Sequence, residues 1–157
     1  HPWTDRLPRD TAPGSARSAH DMRLSVFNYP LAGWTDAVVM NLCMGHAVAV
    51  QLDDMMRASY QPLAQAIREV APRERRHTEL AEEGLARLAE QGQSAAIADS
   101  LAYWRPRVAA IFGDPSDDRM AQLQEWGLRH ATAAEMRDAW ETRLDAGLDR
   151  LGLTQAA

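Results

Sequence analysis

The 157-residue chain contains no lysine; all 17 of its basic side chains are arginines. It has one cysteine, Cys43, so no internal disulfide can form, and the apolar stretch around it predicts a buried free thiol in a reducing compartment. No stretch reaches the roughly 18 uncharged apolar residues of a membrane-spanning helix. The opening His1-Pro2-Trp3-Thr4-Asp5-Arg6 has no signal-peptide pattern and no initiating methionine, so the chain reads as processed, tagged or a fragment of something longer. Basic residues are outnumbered: a net charge of -5 and a pI near 5.5 argue against nucleic acid or an anionic membrane surface as the main partner. Alternation of the β type and internal repeats are also missing. These absences leave a cytoplasmic, helical protein as the expectation.

What is present suffices for one domain with a core, since 46% of residues are hydrophobic and 25% charged. Residues 1–21 carry Pro2, Pro8, Pro13 and Gly14 among charged and small residues, and read as an extended or loosely ordered arm. Residues 22–155 read as one helical domain, entered through turns at Asn28-Tyr29-Pro30 and Gly33.

Spacings of three and four predict a first helix from Trp34 to about Ser59, with Val38, Asn41, Gly45, Val48, Leu52 and Met55 along one side. Tyr60-Gln61-Pro62 breaks the run. A second helix extends to about Glu90 with a seam of Leu63, Ile67, Val70, Glu74, His77, Ala81, Gly84 and Leu88. Pro72 lies inside it and predicts a kink or a break. Gly92 ends this helix, and Ser94 is a candidate N-cap for a third, to about Phe112, containing Pro106. A turn at Gly113-Asp114-Pro115 and a Ser116 cap predict a short fourth helix through Leu128. Thr132-Ala133-Ala134-Glu135 is a capping-box pattern opening a last helix, with Met136, Trp140, Leu144, Leu148 and Leu151 on one face and Gly152 at its end. The fold class is therefore all-α: a long antiparallel hairpin followed by three C-terminal helices.

The chemistry-bearing pattern is Glu74-Arg75-Arg76-His77. Glu and His three residues apart point the same way from a helix, and on a core seam they must be paired, protonated or bound to metal. That spacing is half of a carboxylate-bridged two-metal site. With the turn centred near Gln61, positions 45 and 77 stand level across the hairpin, but position 45 is glycine. His46 is next to it, roughly 100° round the helix, and is either an interface histidine or a further ligand. Met40, Met44, Met55 and Met56 read as core filling. The stretch Arg68 to Arg76 reads as a solvated face, with contact to the phosphates of a nucleotide-like substrate such as coenzyme A as the alternative.

Val26-Phe27-Asn28-Tyr29-Pro30, followed by Trp34-Thr35-Asp36, resembles the F-N-Y-P…W-A-D stretch of the catalytic subunit of bacterial phenylacetyl-CoA epoxidase. Arg57, Ser59, Tyr60, Glu74 and His77 continue the match, as do Trp104-Arg105-Pro106, Phe112-Gly113 and Leu151-Gly152-Leu153-Thr154. Met136-Arg137-Asp138-Ala139-Trp140-Glu141 is similar, no less closely, to the non-catalytic companion subunit. The resemblance implies a ferritin-like fold and an enzyme that uses two irons and oxygen to epoxidise an aromatic acyl-CoA. It also implies a reductase that supplies electrons and a companion subunit. It carries Glu74 and His77 over as iron ligands, places the absent third acid at Gly45, and leaves the family's first two core helices without a counterpart. Two readings follow. In one, the chain is an oxygenase subunit whose site is completed elsewhere. In the other, it is a non-catalytic scaffold that assembles through an exposed apolar face including Leu42, Val48, Leu52 and Met55, with a companion chain or as a homodimer in which two Glu74/His77 pairs meet.

Overall fold

Helix α1 (Trp34–Met55) and helix α2 (Gln61–Glu90) fold back on each other as the predicted antiparallel hairpin. The computed structural model describes residues 6–18, 24–113 and 118–153; among them every regular element is helical and no strand occurs. Helix α3 (Ser94–Ala109), a 3-10 turn (Ala110–Phe112), helix α4 (Asp118–Glu125) and helix α5 (Ala133–Arg150) complete a ferritin-like, all-helical architecture. A further 3-10 turn at Ser25–Asn28 precedes α1. Helix α1 lies at the centre and packs against α2, α3 and α5.

The hairpin register matches the one expected from the sequence. A Cβ on Gly45 would meet Thr78, and a Cβ on Gly84 would meet Val38 at 3.3 Å. Both pairings place the centre of the turn near Gln61. Small residues at these crossings let the two backbones approach closely.

Helix α2 runs unbroken through Pro72. The expected break is absent, and Pro72 and Arg68, whose carbonyl loses its helical partner, are both exposed residues, so solvation of that carbonyl can offset the loss. Gly92, at φ 77°, ends α2 with a Schellman pair: the Gln93 N–H donates to the carbonyl of Leu88 and the Gly92 N–H to that of Ala89. Ser94 is the first residue of α3 rather than its cap; Gln93 precedes it without a side-chain capping bond. The predicted Ser116 cap lies outside the described residues. The Thr132–Glu135 capping box is formed in both directions.

Leu42, Leu85, Ile97, Leu101, Trp104, Trp140, Leu144 and Leu148 form the core. Trp140 is fully buried; its indole N–H donates to the Cys43 carbonyl at 3.0 Å, and its ring packs on Phe112. Cys43 is buried and unpaired, as expected, and burial pushes its thiol pKa up to about 12. Of the four methionines expected inside, only Met44 is buried; Met40, Met55 and Met56 are partly exposed. Residues 6–18 form an irregular strap with turns at Arg9-Asp10 and Pro13-Gly14. Arg9 pairs with the buried Asp36 at 2.7 Å, while the Arg107 guanidinium donates to the carbonyls of Arg9 and Thr11. The Arg9 and Arg107 guanidiniums both stack over the Tyr103 ring, at 3.7 and 3.6 Å.

Candidate functional site

Two stripes run down α2. Ala64, Ala71, Thr78 and Leu85 recur every seven residues and are buried. The predicted seam lies beside this stripe, and only its far end, Ala81 and Leu88, is buried. Nearer the hairpin tip the seam is open: Val70 is 46% exposed and the His77 side chain 60%. Helix α2 has 30 residues, about 45 Å, whereas α3, which folds back from its end, has 16, about 24 Å. Sequence periodicity thus marks a continuous stripe, which the described residues cover only in part.

Glu74 and His77 stand on the open half. His77 Nδ1 lies 3.4 Å from Glu74 Oε2, the contact expected of an i, i+3 pair on a helix surface. The arginines around them, Arg68, Arg73, Arg75 and Arg76, are exposed, as a solvated face requires; Arg76 bridges Glu79 and Glu83.

Gly45 is closed off. A Cβ there would lie 2.5 Å from Thr78 Oγ1, 3.1 Å from Thr78 Cβ and 3.2 Å from its Cγ2. All three atoms crowd the same point, so turning the threonine side chain does not relieve it. A carboxylate at this position would have to displace α2. Thr78, which the seam pattern does not include, sits here because its hydroxyl also donates to the Glu74 carbonyl at 3.2 Å. The seven-residue spacing from Ala64 is the sequence signal that marks it.

His46 does not join Glu74 and His77. It is 8% exposed and faces a groove of about 360 Å³ between α2 and α5, floored by His46, Ala49 and Asp53 of α1. Its Nε2 lies 3.4 Å from Glu82 Oε1 but makes no hydrogen bond. Burial, with help from the Arg150 and Arg143 charges, holds the imidazole pKa below its usual value despite the opposing pull of Glu82. Burial thus favours the neutral imidazole over an ion pair with Glu82. Arg150 pairs with Glu82 at 2.9 Å and Arg143 with Asp53 at 2.8 Å, tying α5 to α2 and α1.

The apolar face expected over Leu42, Val48, Leu52 and Met55 is not exposed as such. Leu42 and Leu52 are buried within the chain, and Val48 and Met55 are half-buried, because α3 and α5 pack on α1. Among the described residues the exposed large apolar ones are instead Val70 and Leu80 on α2, Trp126 after α4, Tyr60 at the hairpin turn, and Leu24, Phe27, Leu31 and Trp34 ahead of and at the start of α1.

The model of the phenylacetic acid catabolic protein family matches residues 12–157. The chain belongs to that family. It is also 28% identical over 136 residues to a 1,2-phenylacetyl-CoA epoxidase subunit of Escherichia coli (strain K12), an overlap covering 83% of this chain and 43% of the relative. The chain thus spans less than half the length of that relative. Iron is the metal that the resemblance implies, and the residues in hand do not make its two-metal site. Glu74 and His77 are two groups where more are needed, the space beside Gly45 is filled by Thr78, and among the described residues no group of three or more His, Cys, Asp or Glu side chains is placed to hold a metal.

Proposed function

We propose that this chain is an assembling subunit of a phenylacetate-catabolic epoxidase complex, joined to another helical chain through the open stripe of α2. The observation that carries the reading is the stripe itself. Leu63, Ile67, Val70, Glu74 and His77 continue a line whose far end is core, and none of them is buried by the described residues. A second helix laid along it would bury Val70 and enclose the Glu74–His77 pair.

The proposed activity of the whole complex is epoxidation of an aromatic acyl-CoA in the cytoplasm, with electrons from a separate reductase. Bound iron would supply the oxygen activation. In this chain Glu74 and His77 are the groups that would face it, with His46 set apart in its own groove. Since these residues do not fit a two-metal centre by themselves, no chemical step is assigned to this chain. The closure of position 45 by Thr78 favours a second reading, in which the chain is a non-catalytic scaffold and the Glu74–His77 pair is a surface hydrogen bond.

Native mass spectrometry with metal analysis tests both. The expected result is an assembled species, either a homodimer or a complex with a companion chain, that Val70→Asp dissociates without loss of helicity. A chain that stays monomeric at all concentrations and in the presence of companion subunits sinks the proposal. Stoichiometric iron that disappears in Glu74→Ala would favour the completed half-site. An iron-free assembly indifferent to that change would favour the scaffold.

A further inference from the structure

The groove between α2 and α5 contains a feature that the proposed assembly does not use. His46 lines this groove, and its Nε2 is buried without a hydrogen-bond partner. A buried nitrogen left unpaired is destabilising unless something occupies the space in front of it. The atom opposite is Glu82 Oε1, 3.4 Å away. A tetrahedral divalent ion with metal–nitrogen and metal–oxygen distances of about 2.1 Å holds two of its ligands about 3.4 Å apart. The corner where these atoms meet is kept open by Gly147 of α5. A Cβ on Gly147 would lie 3.2 Å from His46 Nε2 and 3.3 Å from Glu82 Oε1.

We propose that His46 Nε2 and Glu82 Oε1 form a two-donor site for a divalent transition-metal ion of the zinc, cobalt or nickel class, with water completing its coordination. An imidazole nitrogen beside one carboxylate oxygen suits these ions better than magnesium or calcium, which take oxygen ligands. The site involves neither Glu74 nor His77. It ties α1 to α2 at the place where α5 crosses them, so an ion there would brace three helices. Two local charges oppose it, those of Arg150 and Arg143. Arg150 donates to the same Glu82 oxygen at 2.9 Å. It is the last residue of α5 and its side chain is more than half exposed, so it can swing into water when an ion takes its place. Arg143 and Arg75 stay on Asp53, which leaves the groove close to neutral.

Arg150 also separates this site from its rival, a pocket for a small anion held by the three arginines, because the two respond oppositely to its removal. The test titrates the purified chain with Co²⁺, read by visible absorption, and with Zn²⁺, read by calorimetry. It uses wild type, His46→Gln, Glu82→Gln, Gly147→Ala and Arg150→Gln, each checked for retained helicity and melting. The expected result is one ion per chain. His46→Gln and Glu82→Gln lower the association constant about tenfold or more, Gly147→Ala lowers it by obstructing the corner, and Arg150→Gln raises it by removing the competing cation. Glu74→Gln leaves it unchanged, which keeps failure here distinct from failure of the assembly reading. Absence of Co²⁺ and Zn²⁺ binding overturns the proposal, as does binding that survives His46→Gln. Thermal stabilisation by inorganic phosphate that Arg150→Gln abolishes, without any response to Co²⁺, overturns it in favour of the anion pocket.

Discussion

Thr78 Oγ1 occupies the space that a side chain on Gly45 would need, 2.5 Å from where its Cβ would be. The two residues lock the hairpin register, and they also decide what position 45 can carry. Gly45→Ala, which raises helix propensity, is expected to destabilise the chain by about 1–3 kcal/mol through overpacking. Urea unfolding measures this. The double change Gly45→Ala with Thr78→Ala is expected to recover most of the loss, and equal destabilisation by the single and double variants would refute the contact.

The open and covered halves of the α2 stripe should respond differently to charge. Val70→Asp places a carboxylate in water, so the isolated chain is expected to keep its melting temperature within the small changes typical of surface sites while losing assembly. Leu52 is buried in the chain itself. Leu52→Ala is expected to destabilise folding by about 2–5 kcal/mol, and Leu52→Asp to prevent it. Circular dichroism with native mass separates the two behaviours, and a folded, monomeric Leu52→Asp chain would contradict the assignment.

The hairpin, its register, the Thr132 capping box and the α5 face were all legible because each rests on local spacing. The rotational phase of α2 was harder to read. Leu63, Ile67, Val70, Glu74 and His77 have the spacing of a core seam, and whether such a seam is buried depends on what packs over it, which no property of α2 records. His46 stands out in the sequence, but its partner Glu82 and the open corner at Gly147 do not. They lie 36 and 101 positions away and meet it only through the packing of α2 and α5 on α1.

Asp36 should make the strap sensitive to acid. Burial alone would raise its carboxyl pKa, but the hydrogen bonds from Arg9 and the Ala32 N–H, with the Arg9 charge, outweigh that and hold it below the usual carboxylate value. Because the folded pKa lies below the unfolded value of about 3.9, this contribution is present above that pH and is lost as pH falls through the folded pKa. Asp36→Asn is expected to be less stable than wild type at pH 7, with the gap narrowing below about pH 4. Denaturant midpoints across that range check it, and a gap that widens in acid would reverse the assignment.

Cys43 should be inert in the native chain. Its thiol is fully buried and its pKa stands at about 12, so little thiolate forms and no reagent reaches it. Ellman's reagent is expected to titrate one thiol per chain only in denaturant, and reaction at the native state within minutes would argue against the packing of α1.

The half-covered stripe on α2 also bears on how tightly a partner can bind. The exposed residues belong to a helix whose conformation is already held by its other face against α1 and by the buried end of the same stripe. A partner would therefore meet a surface that needs no coil-to-helix transition. The conformational entropy usually lost when a segment folds on contact has been lost already, during folding of this chain. Even a short helix of modest apolar area could then bind with useful affinity, and its dissociation rate would depend on the fit of the contact rather than on unfolding of α2.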